Sequence, residues 1–221
     1  VPSEFAAASS AGEAAIIAHA HAQGAKVLLA IHWNNSLGAD ALFRFLNDPA
    51  AMDASAANIC ARAQEALCDG ISMDFEVANT RVNASFKGLN AGYLRRLSAV
   101  ASKQGLTVST DVFMDLPTNT GVDAEAIAAA VSGNVVLMTY DYHWNTAPVA
   151  GPNTPLIGND GSNVKNTVSW SLSQSIPAAE LLMGIAWYGR EWPTTGPGYM
   201  AATNYSKEVP DQVAKAYSLP E

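Results

Sequence analysis

The stretch DGISMDFE, residues 69–76, decides the fold because it has the pattern of one β-strand whose two faces differ in chemistry. Alternate side chains of a strand point to opposite faces of the sheet. One face is apolar and consists of Ile71, Met73, Phe75 and Val77. The other face is small or acidic and consists of Gly70, Ser72, Asp74 and Glu76. Only 14% of the chain is charged, and a buried unpaired carboxylate costs several kcal/mol, so these acids predict a functional site.

Strand and helix patterns alternate along the rest of the chain. Short apolar segments predict strands at 26–33, 70–77, 106–113, 134–141 and 181–188. The segments around them predict helices at 11–23, 39–47, 50–67, 86–104, 121–132 and 165–175, and a further short helix near 211–217 in an irregular tail. This alternation predicts one α/β domain over residues 1–221, with a parallel sheet covered by helices. Both an open doubly wound sheet and a (β/α) barrel fit the pattern.

The two acids at the carboxyl end of the 70–77 strand form the candidate site. That end of the strands carries the chemistry in parallel α/β folds, and Asp74 and Glu76 are about 6.6–7 Å apart along the backbone. Close carboxylates push their pKa values apart, so one can stay protonated near neutrality and act as a general acid. The alternative is a pair of solvated acids at a strand end, or an ion-pair network.

The composition disfavours several classes of protein. The net charge of −8 and the pI of about 4.9 argue against nucleic-acid binding, which needs clustered Lys and Arg. The chain has no apolar run long enough to predict a membrane span. No Gly-rich phosphate loop follows a predicted strand, which disfavours a nucleotide-dependent doubly wound enzyme. With residues 54–67 helical, Cys60 and Cys68 lie about 12 Å apart, so we expect two buried free thiols.

Four motifs in the expected order resemble glycoside hydrolase family 18, the chitinase family. Residues 69–76 resemble the family strand D-G-φ-D-φ-D-φ-E, where φ is apolar, with Ser72 in place of the usual Asp. Residues 138–141 (MTYD) match the sixth-strand M-x-Y-D motif, and 182–190 resemble the seventh-strand G-φ-P-aromatic-Y-G segment with Ala186 for Pro. Residues 26–31 resemble the third strand, although its usual S-x-G-G ending is replaced by AIHW. The likeness covers roughly residues 15–192 and is greatest to the chitobiase branch, which also tends to have a neutral residue at the position of Ser72.

The resemblance implies a (β/α)8 TIM barrel of which strands three to seven are visible. The first two strands and the last are then expected outside residues 1–221, so we expect the chain to be a fragment. A missing segment or a partner would complete the barrel.

The resemblance also implies hydrolysis of β-1,4-linked N-acetylglucosamine, in chitin oligomers or the N-glycan core, by substrate-assisted retaining catalysis. Glu76 would be the general acid, Asp74 would orient the acetamido group of the substrate, and Tyr140 would bind its oxygen. The expected substrate-binding residues are Asp141, Trp187, Asp69 and Ser72. No metal or cofactor is implied. The alternative is a non-catalytic, chitinase-like carbohydrate-binding or structural protein.

Two further observations concern the surroundings of the site and the compartment. Trp33, Trp144 and His143 lie at predicted carboxyl ends of strands, where they either line a cleft or pack as ordinary loop residues. Asn-x-Ser triplets begin at residues 34, 83 and 204 and give weak support to glycosylation. Together with the family resemblance, they predict an extracellular or lysosomal/vacuolar location.

Overall fold

The structure is a computed structural model that describes most of the chain. It covers residues 11–33, 37–76, 84–113, 121–144, 147, 150–158, 161–191 and, for the backbone, 207–210. The chain divides into two compact units. Unit 1 comprises Val1–Val112, Thr118–Val136 and Gln174–Leu182, and unit 2 comprises Phe113–Pro117, Leu137–Ser173 and Met183–Glu221. The prediction of a single domain over residues 1–221 stays a prediction.

Helices and strands alternate in the order that the sequence predicts. The helices are α1 (Ala11–Ala22), α2 (Gly38–Leu46), α3 (Pro49–Glu65), α4 (Leu89–Ser102), α5 (Ala124–Ala128) and α6 (Val164–Ser173). The strands are β1 (Leu28–His32), β2 (Gly70–Asp74), β3 (Thr107–Phe113), β4 (Val135–Met138), β5 (Leu181–Met183), β6 (Tyr188–Glu191) and β7 (Lys207–Pro210). Within the described residues, no helix combines the length and the hydropathy that crossing a bilayer requires.

The sheet order decides between the two architectures that the sequence left open. Strands β1 to β5 form one sheet in strictly sequential order, and β1–β2 and β2–β3 are parallel pairs. A doubly wound sheet reverses its strand order at a switch point, whereas a (β/α) barrel does not. The predicted barrel-type fold is therefore confirmed, with five of its strands in the main sheet.

The core of unit 1 lies between the sheet and the helices α3 and α4. The β2 side chains Ile71 and Met73 are 0% and 2% exposed, as the alternating pattern predicts. On the helices, the buried positions recur every three or four residues and include Ala56, Ile59, Cys60, Ala63, Tyr93, Leu94, Leu97 and Ala101. The small residues of α3 allow its backbone to approach its neighbours. Cys60 and Cys68 are buried free thiols, as predicted.

Caps and close contacts fix the ends of these elements. Asp48 accepts a hydrogen bond from the Ala51 N–H at 3.1 Å, and Pro49 occupies the first turn of α3, so the helix begins there. The buried hydroxyl of Tyr93 shares a 2.9 Å hydrogen bond with Ser55 Oγ, which ties α4 to α3. This bond satisfies two polar groups that burial would otherwise leave without a partner.

Three predictions on the carboxyl-terminal part of the chain need correction. The fourth strand ends at Met138 rather than 141, because the Thr139 N–H turns back to the Leu137 carbonyl oxygen at 2.9 Å and Asp141 is left-handed with φ of 55°. The fifth strand ends at Met183, and residues 188–191 instead pair antiparallel with 207–210 in a separate two-stranded sheet. The predicted tail was therefore not wholly irregular. The short helix expected near 211–217 lies outside the described residues.

Gly70 is the position where the sheet leaves no room for a side chain. A Cβ there would press on Thr107 Oγ1 and would lie 2.5 Å from the Thr107 carbonyl oxygen and 2.8 Å from Leu28 Cδ2. We expect Gly70→Ala to lower the free energy of unfolding by about 1–3 kcal/mol, as overpacking does. Gly92→Ala on α4 is the matched control, because its nearest neighbour is 4.0 Å away and Ala stabilises a helix by about 0.5–1 kcal/mol over Gly. Urea unfolding measures both, and equal effects would contradict the packing argument.

Burial of Tyr93 makes stability sensitive to high pH. Desolvation raises the pKa of its phenol from 10.0 to about 12. Above pH 10 the unfolded chain ionises this group while the folded state keeps it neutral, so the free energy of unfolding should fall between pH 10 and 12. Tyr93→Phe should lower stability at neutral pH, because Ser55 loses its partner, but should reduce the alkaline slope. Unfolding at a series of pH values measures this, and an unchanged slope would refute it.

Candidate active site

The backbone of β2 and the residues after it place the two predicted catalytic acids. Asp74 is the last residue of β2, and Glu76 follows two residues later. Between them, Phe75 points into the core, where its ring stacks on Tyr93 at 5.9 Å and 5° and meets Trp33 edge-on at 5.9 Å. These contacts hold the segment after the strand, so that Asp74 and Glu76 stay on the face opposite the core.

Asp74 and Glu76 lie together beside a histidine. Carboxylate oxygens of both acids and a ring nitrogen of His32 all lie within 4.8 Å of one another. His32 Nδ1 is 3.4 Å from Asp74 Oδ2, because His32 and Asp74 are partners in the β1–β2 register. Atoms at this spacing could also bind a metal ion, although acidic groups of this kind are common without one. The arrangement can place a proton donor and a second carboxylate on either side of a small polar group.

Ser72 lies one position deeper on the same face and pairs with an acid that the sequence analysis missed. Ser72 Oγ donates a 2.9 Å hydrogen bond to Asp111 Oδ2 on β3. Burial raises the pKa of the Asp111 carboxyl, and the nearby charge of Asp74 raises it further, while the Ser72 bond opposes the shift. Asp111 could have been found from the pattern LTVSTDVF, which puts one acid on an otherwise uncharged strand.

Asp69 lies at the opposite end of β2 from Asp74. Its Oδ2 accepts a hydrogen bond from the Val27 N–H at 2.7 Å. The same oxygen lies 3.0 Å from His21 Nε2. The Val27 bond, followed by His21, holds the pKa of Asp69 below its usual value. The structure therefore does not bring Asp69 to Asp74 and Glu76. These contacts hold the segment before β1, so Asp69 has a structural role that does not involve a substrate.

In unit 2, Asp141 is held by a cation that the sequence analysis did not single out. Arg190 Nε and a terminal guanidinium nitrogen donate to Asp141 Oδ1 and Oδ2 at 2.8 and 2.6 Å. The side chain of Arg190 is only 7% exposed and that of Asp141 is 27% exposed. The Asp141 N–H donates to Asn153 Oδ1 at 2.7 Å, which supports its left-handed backbone. Each carboxylate oxygen has a further lone pair, so Asp141 can still accept a hydrogen bond from a ligand.

Two tyrosines of unit 2 lie next to this ion pair. The rings of Tyr140 and Tyr188 meet edge-on with centroids 6.4 Å apart, and the Arg190 guanidinium lies 5.2 Å from the centre of the Tyr188 ring. Burial and a hydrogen bond to Asp141 raise the pKa of Tyr188 to about 12. A Cβ on Gly184 would lie 2.8 Å from Tyr140 Cε1, so glycine there lets the tyrosine pack against the backbone.

The predicted aromatic positions differ in their surroundings. Trp187 is 84% exposed, which fits a stacking surface and not a core residue. Trp33 packs on the core against Phe45 and Phe75, so it is a packing residue. Trp144 is exposed, and His143 Nδ1 lies 3.1 Å from the Pro152 carbonyl oxygen.

Comparison with known proteins agrees with the motifs. The model of the family described as glycosyl hydrolases family 18 matches residues 9–220. Chitotriosidase-1 from Mus musculus is 26% identical over 169 residues, which cover 63% of this chain and 36% of that protein. The chain therefore spans little more than a third of the length of this curated relative.

Solved structures show the same fold. An immunomodulatory active chitinase from Trichuris suis superposes with a TM-score of 0.78 at 19% identity, over 94% of this chain and 64% of that one. Catalytic domain 2 of the Ostrinia furnacalis Group II chitinase, as a mutant in complex with penta-N-acetylchitooctaose, gives a TM-score of 0.70 at 22% identity. That match covers 85% of this chain and 52% of the chitinase domain.

The ion pair of unit 2 is expected to contribute to stability as a unit. Arg190→Met leaves the Asp141 carboxylate without its cation, and because both side chains are largely buried we expect a loss of about 2–3 kcal/mol. Arg96→Met is the matched control, since Arg96 and Asp53 also approach to 2.6 Å but are 39% and 61% exposed. It should cost at most about 1 kcal/mol. Thermal and urea unfolding compare the two, and equal losses would show that burial does not strengthen the Arg190 pair.

Proposed function

The chain belongs to the glycosyl hydrolases family 18, and from this membership we propose that the protein hydrolyses β-1,4 bonds next to N-acetylglucosamine. The observation that carries the proposal is the juxtaposition of Asp74, at the end of β2, and Glu76, two residues later, whose carboxylates each have an oxygen within 4.8 Å of the other. The substrate class is a chitin-type oligosaccharide or the N-glycan core. Chitobiase-like action on short oligomers is the finer proposal, supported by the neutral Ser72 and by the pattern of residues 182–190.

The proposed reaction needs one acid, one orienting carboxylate and the acetamido group of the substrate. Glu76 gives its proton to the glycosidic oxygen as the bond to the anomeric carbon breaks. The acetamido oxygen of the substrate attacks that carbon, and the resulting oxazolinium is positively charged. Asp74 accepts a hydrogen bond from the acetamido N–H and stabilises that charge. Water, deprotonated by Glu76, then attacks the anomeric carbon and opens the oxazolinium ring. Because this carbon is attacked twice, the anomeric configuration is retained.

The motifs assign the remaining roles. In the M-x-Y-D motif, Tyr140 donates a hydrogen bond to the acetamido oxygen and Asp141 binds a sugar hydroxyl. The exposed indole of Trp187 offers a flat apolar surface on which a sugar ring can stack. Ser72 acts from below the acids through its hydrogen bond to Asp111. An extracellular or lysosomal/vacuolar location fits a substrate of this class, and is likewise a proposal.

A second candidate function is carbohydrate binding without cleavage. The observation that favours it is His32, which takes the place of a residue of the usual small S-x-G-G ending and lies 3.4 Å from Asp74 Oδ2. A histidine in this contact competes with the substrate for the orienting carboxylate. Calorimetric binding of a chito-oligosaccharide, with no product released from the same sample over a long incubation, would favour this second function.

Glu76→Gln tests the enzymatic function directly. The amide keeps the shape of the side chain but has no proton to give to the leaving oxygen, so kcat should fall by about 10²–10⁴-fold. Glu65→Gln is the matched control, because the Glu65 side chain lies on α3 and is 74% exposed. This control variant should keep full activity. Release of reducing ends from N-acetylglucosamine oligomers measures both. Equal turnover by wild type and Glu76→Gln would rule out the proposed acid.

A further inference from the structure

Asp111 occupies a position in the sheet that the proposed reaction has not yet used. The β2–β3 register pairs Ser72 with Ser109 and Met73 with Thr110. Continuing that register by one residue brings Asp111 opposite Asp74, and His32 is the partner of Asp74 on the other side. The carboxyl ends of three neighbouring strands thus present a histidine, an aspartate and a second aspartate in one row.

A hydrogen bond from Ser72 holds the carboxylate of Asp111. Ser72, two residues before Asp74 on the same face, donates its hydroxyl proton to Asp111 Oδ2 at 2.9 Å. Asp111 is partly buried between the strands, where a carboxylate with no function would cost free energy. On the other side, Asp74 Oδ2 contacts His32, while among the described residues the buried Asp74 Oδ1 has no hydrogen-bond partner.

We propose that Asp111 is a positioning residue that supplies, from β3, the carboxylate that the family strand usually carries at the position of Ser72. It acts through Ser72 and Asp74 and not on the substrate itself. The inference rests on the proposed glycosidase function for its catalytic meaning. Its structural part, that Asp111 is bonded to Ser72 and electrostatically coupled to Asp74, does not depend on turnover.

The physical role of this pair is to set the orientation of Asp74. Two carboxylates on adjacent strands repel each other when both are ionised, so the charge of Asp74 adds to burial in raising the pKa of Asp111. Among the described residues, His32 on β1 and Glu76 after β2 are the titratable groups that cluster with Asp74. Asp74 thus lies between His32 on β1 and Asp111 on β3, and the position of its carboxylate depends on both neighbours.

The coupling can be measured without any enzymatic activity. Carboxyl ¹³C NMR should show Asp111 titrating above the ordinary range of an aspartate in the wild-type protein. In Asp74→Asn that titration should move to lower pH, because the repelling charge is gone. An Asp111 midpoint that is ordinary, or that does not move in Asp74→Asn, would overturn the inference whether or not the protein cleaves sugars.

The catalytic consequence requires kinetics on folded variants. Asp111→Asn keeps the shape of the side chain and can still accept the Ser72 proton, so only the charge is lost. We expect kcat on N-acetylglucosamine oligomers to fall by about 10–100-fold, as a small misplacement of a catalytic group does, with KM little changed. Ser55→Ala, which removes a buried 2.9 Å serine hydrogen bond away from the site, is the control and should lower stability without lowering kcat.

A variant in which the carboxylate is moved from β3 to β2 tests whether Asp111 acts by positioning Asp74 or only by packing. The double variant Ser72→Asp/Asp111→Ser moves the acid from β3 to β2 and should recover most of the activity lost in Asp111→Asn. Wild-type kcat in Asp111→Asn, or no recovery in a double variant that unfolds at the wild-type temperature, would overturn the role of Asp111. If the wild-type protein itself releases no product, the proposed function fails, and the NMR titration alone decides whether Asp111 and Asp74 are coupled.

Discussion

Alternation along β2 ties the burial of its apolar side chains to the presentation of its acids. Each residue that packs beneath α3 and α4, namely Ile71, Met73 or Phe75, fixes the direction of its neighbour on the opposite face. A shift of one residue would bury two carboxylates and expose the core side chains, so the hydrophobic effect itself holds the register. At the start of the strand, Gly70 fits where the neighbouring strands leave no room for a side chain. Beyond the end of the strand, the stacked rings of Phe75 and Tyr93 fix the same register.

Three aspartates of the described residues fall into two kinds according to their partners. Asp69 is bound by the Val27 N–H and by His21, and Asp141 is bound by the bidentate guanidinium of Arg190. Those bonds fix backbone segments and ends of strands. Asp111 instead lies where burial and a neighbouring carboxylate both act against ionisation. A carboxyl group perturbed in this second way is a candidate for a role in a functional site.

The sequence predicted the features that depend on periodicity and missed those that depend on neighbours in space. The order of the strands, the apolar face of β2 and the free cysteines follow from local pattern, and the structure confirms them. His32, Asp111 and Arg190 were not singled out, because each acts on an acid far away in the chain through sheet register or loop packing. The end of β4 and the pairing of 188–191 were wrong for the same reason, since the left-handed Asp141 and the β6–β7 pairing are set by tertiary contacts. Asp69 was grouped with Asp74 because they share a motif, although they lie at opposite ends of one strand.

The sequential order of the main sheet also bears on how the chain reaches this structure. Each strand pairs with the next one along the chain, so every addition to the sheet closes a loop of about 20 to 40 residues. The entropy of closing a loop grows only with the logarithm of its length, and the cost of adding a strand is therefore nearly the same at each step. A sheet built in this way can grow from its amino-terminal side as the polypeptide leaves the ribosome. His32 on β1, Asp74 on β2 and Asp111 on β3 are therefore synthesised in the order in which they stand in the row.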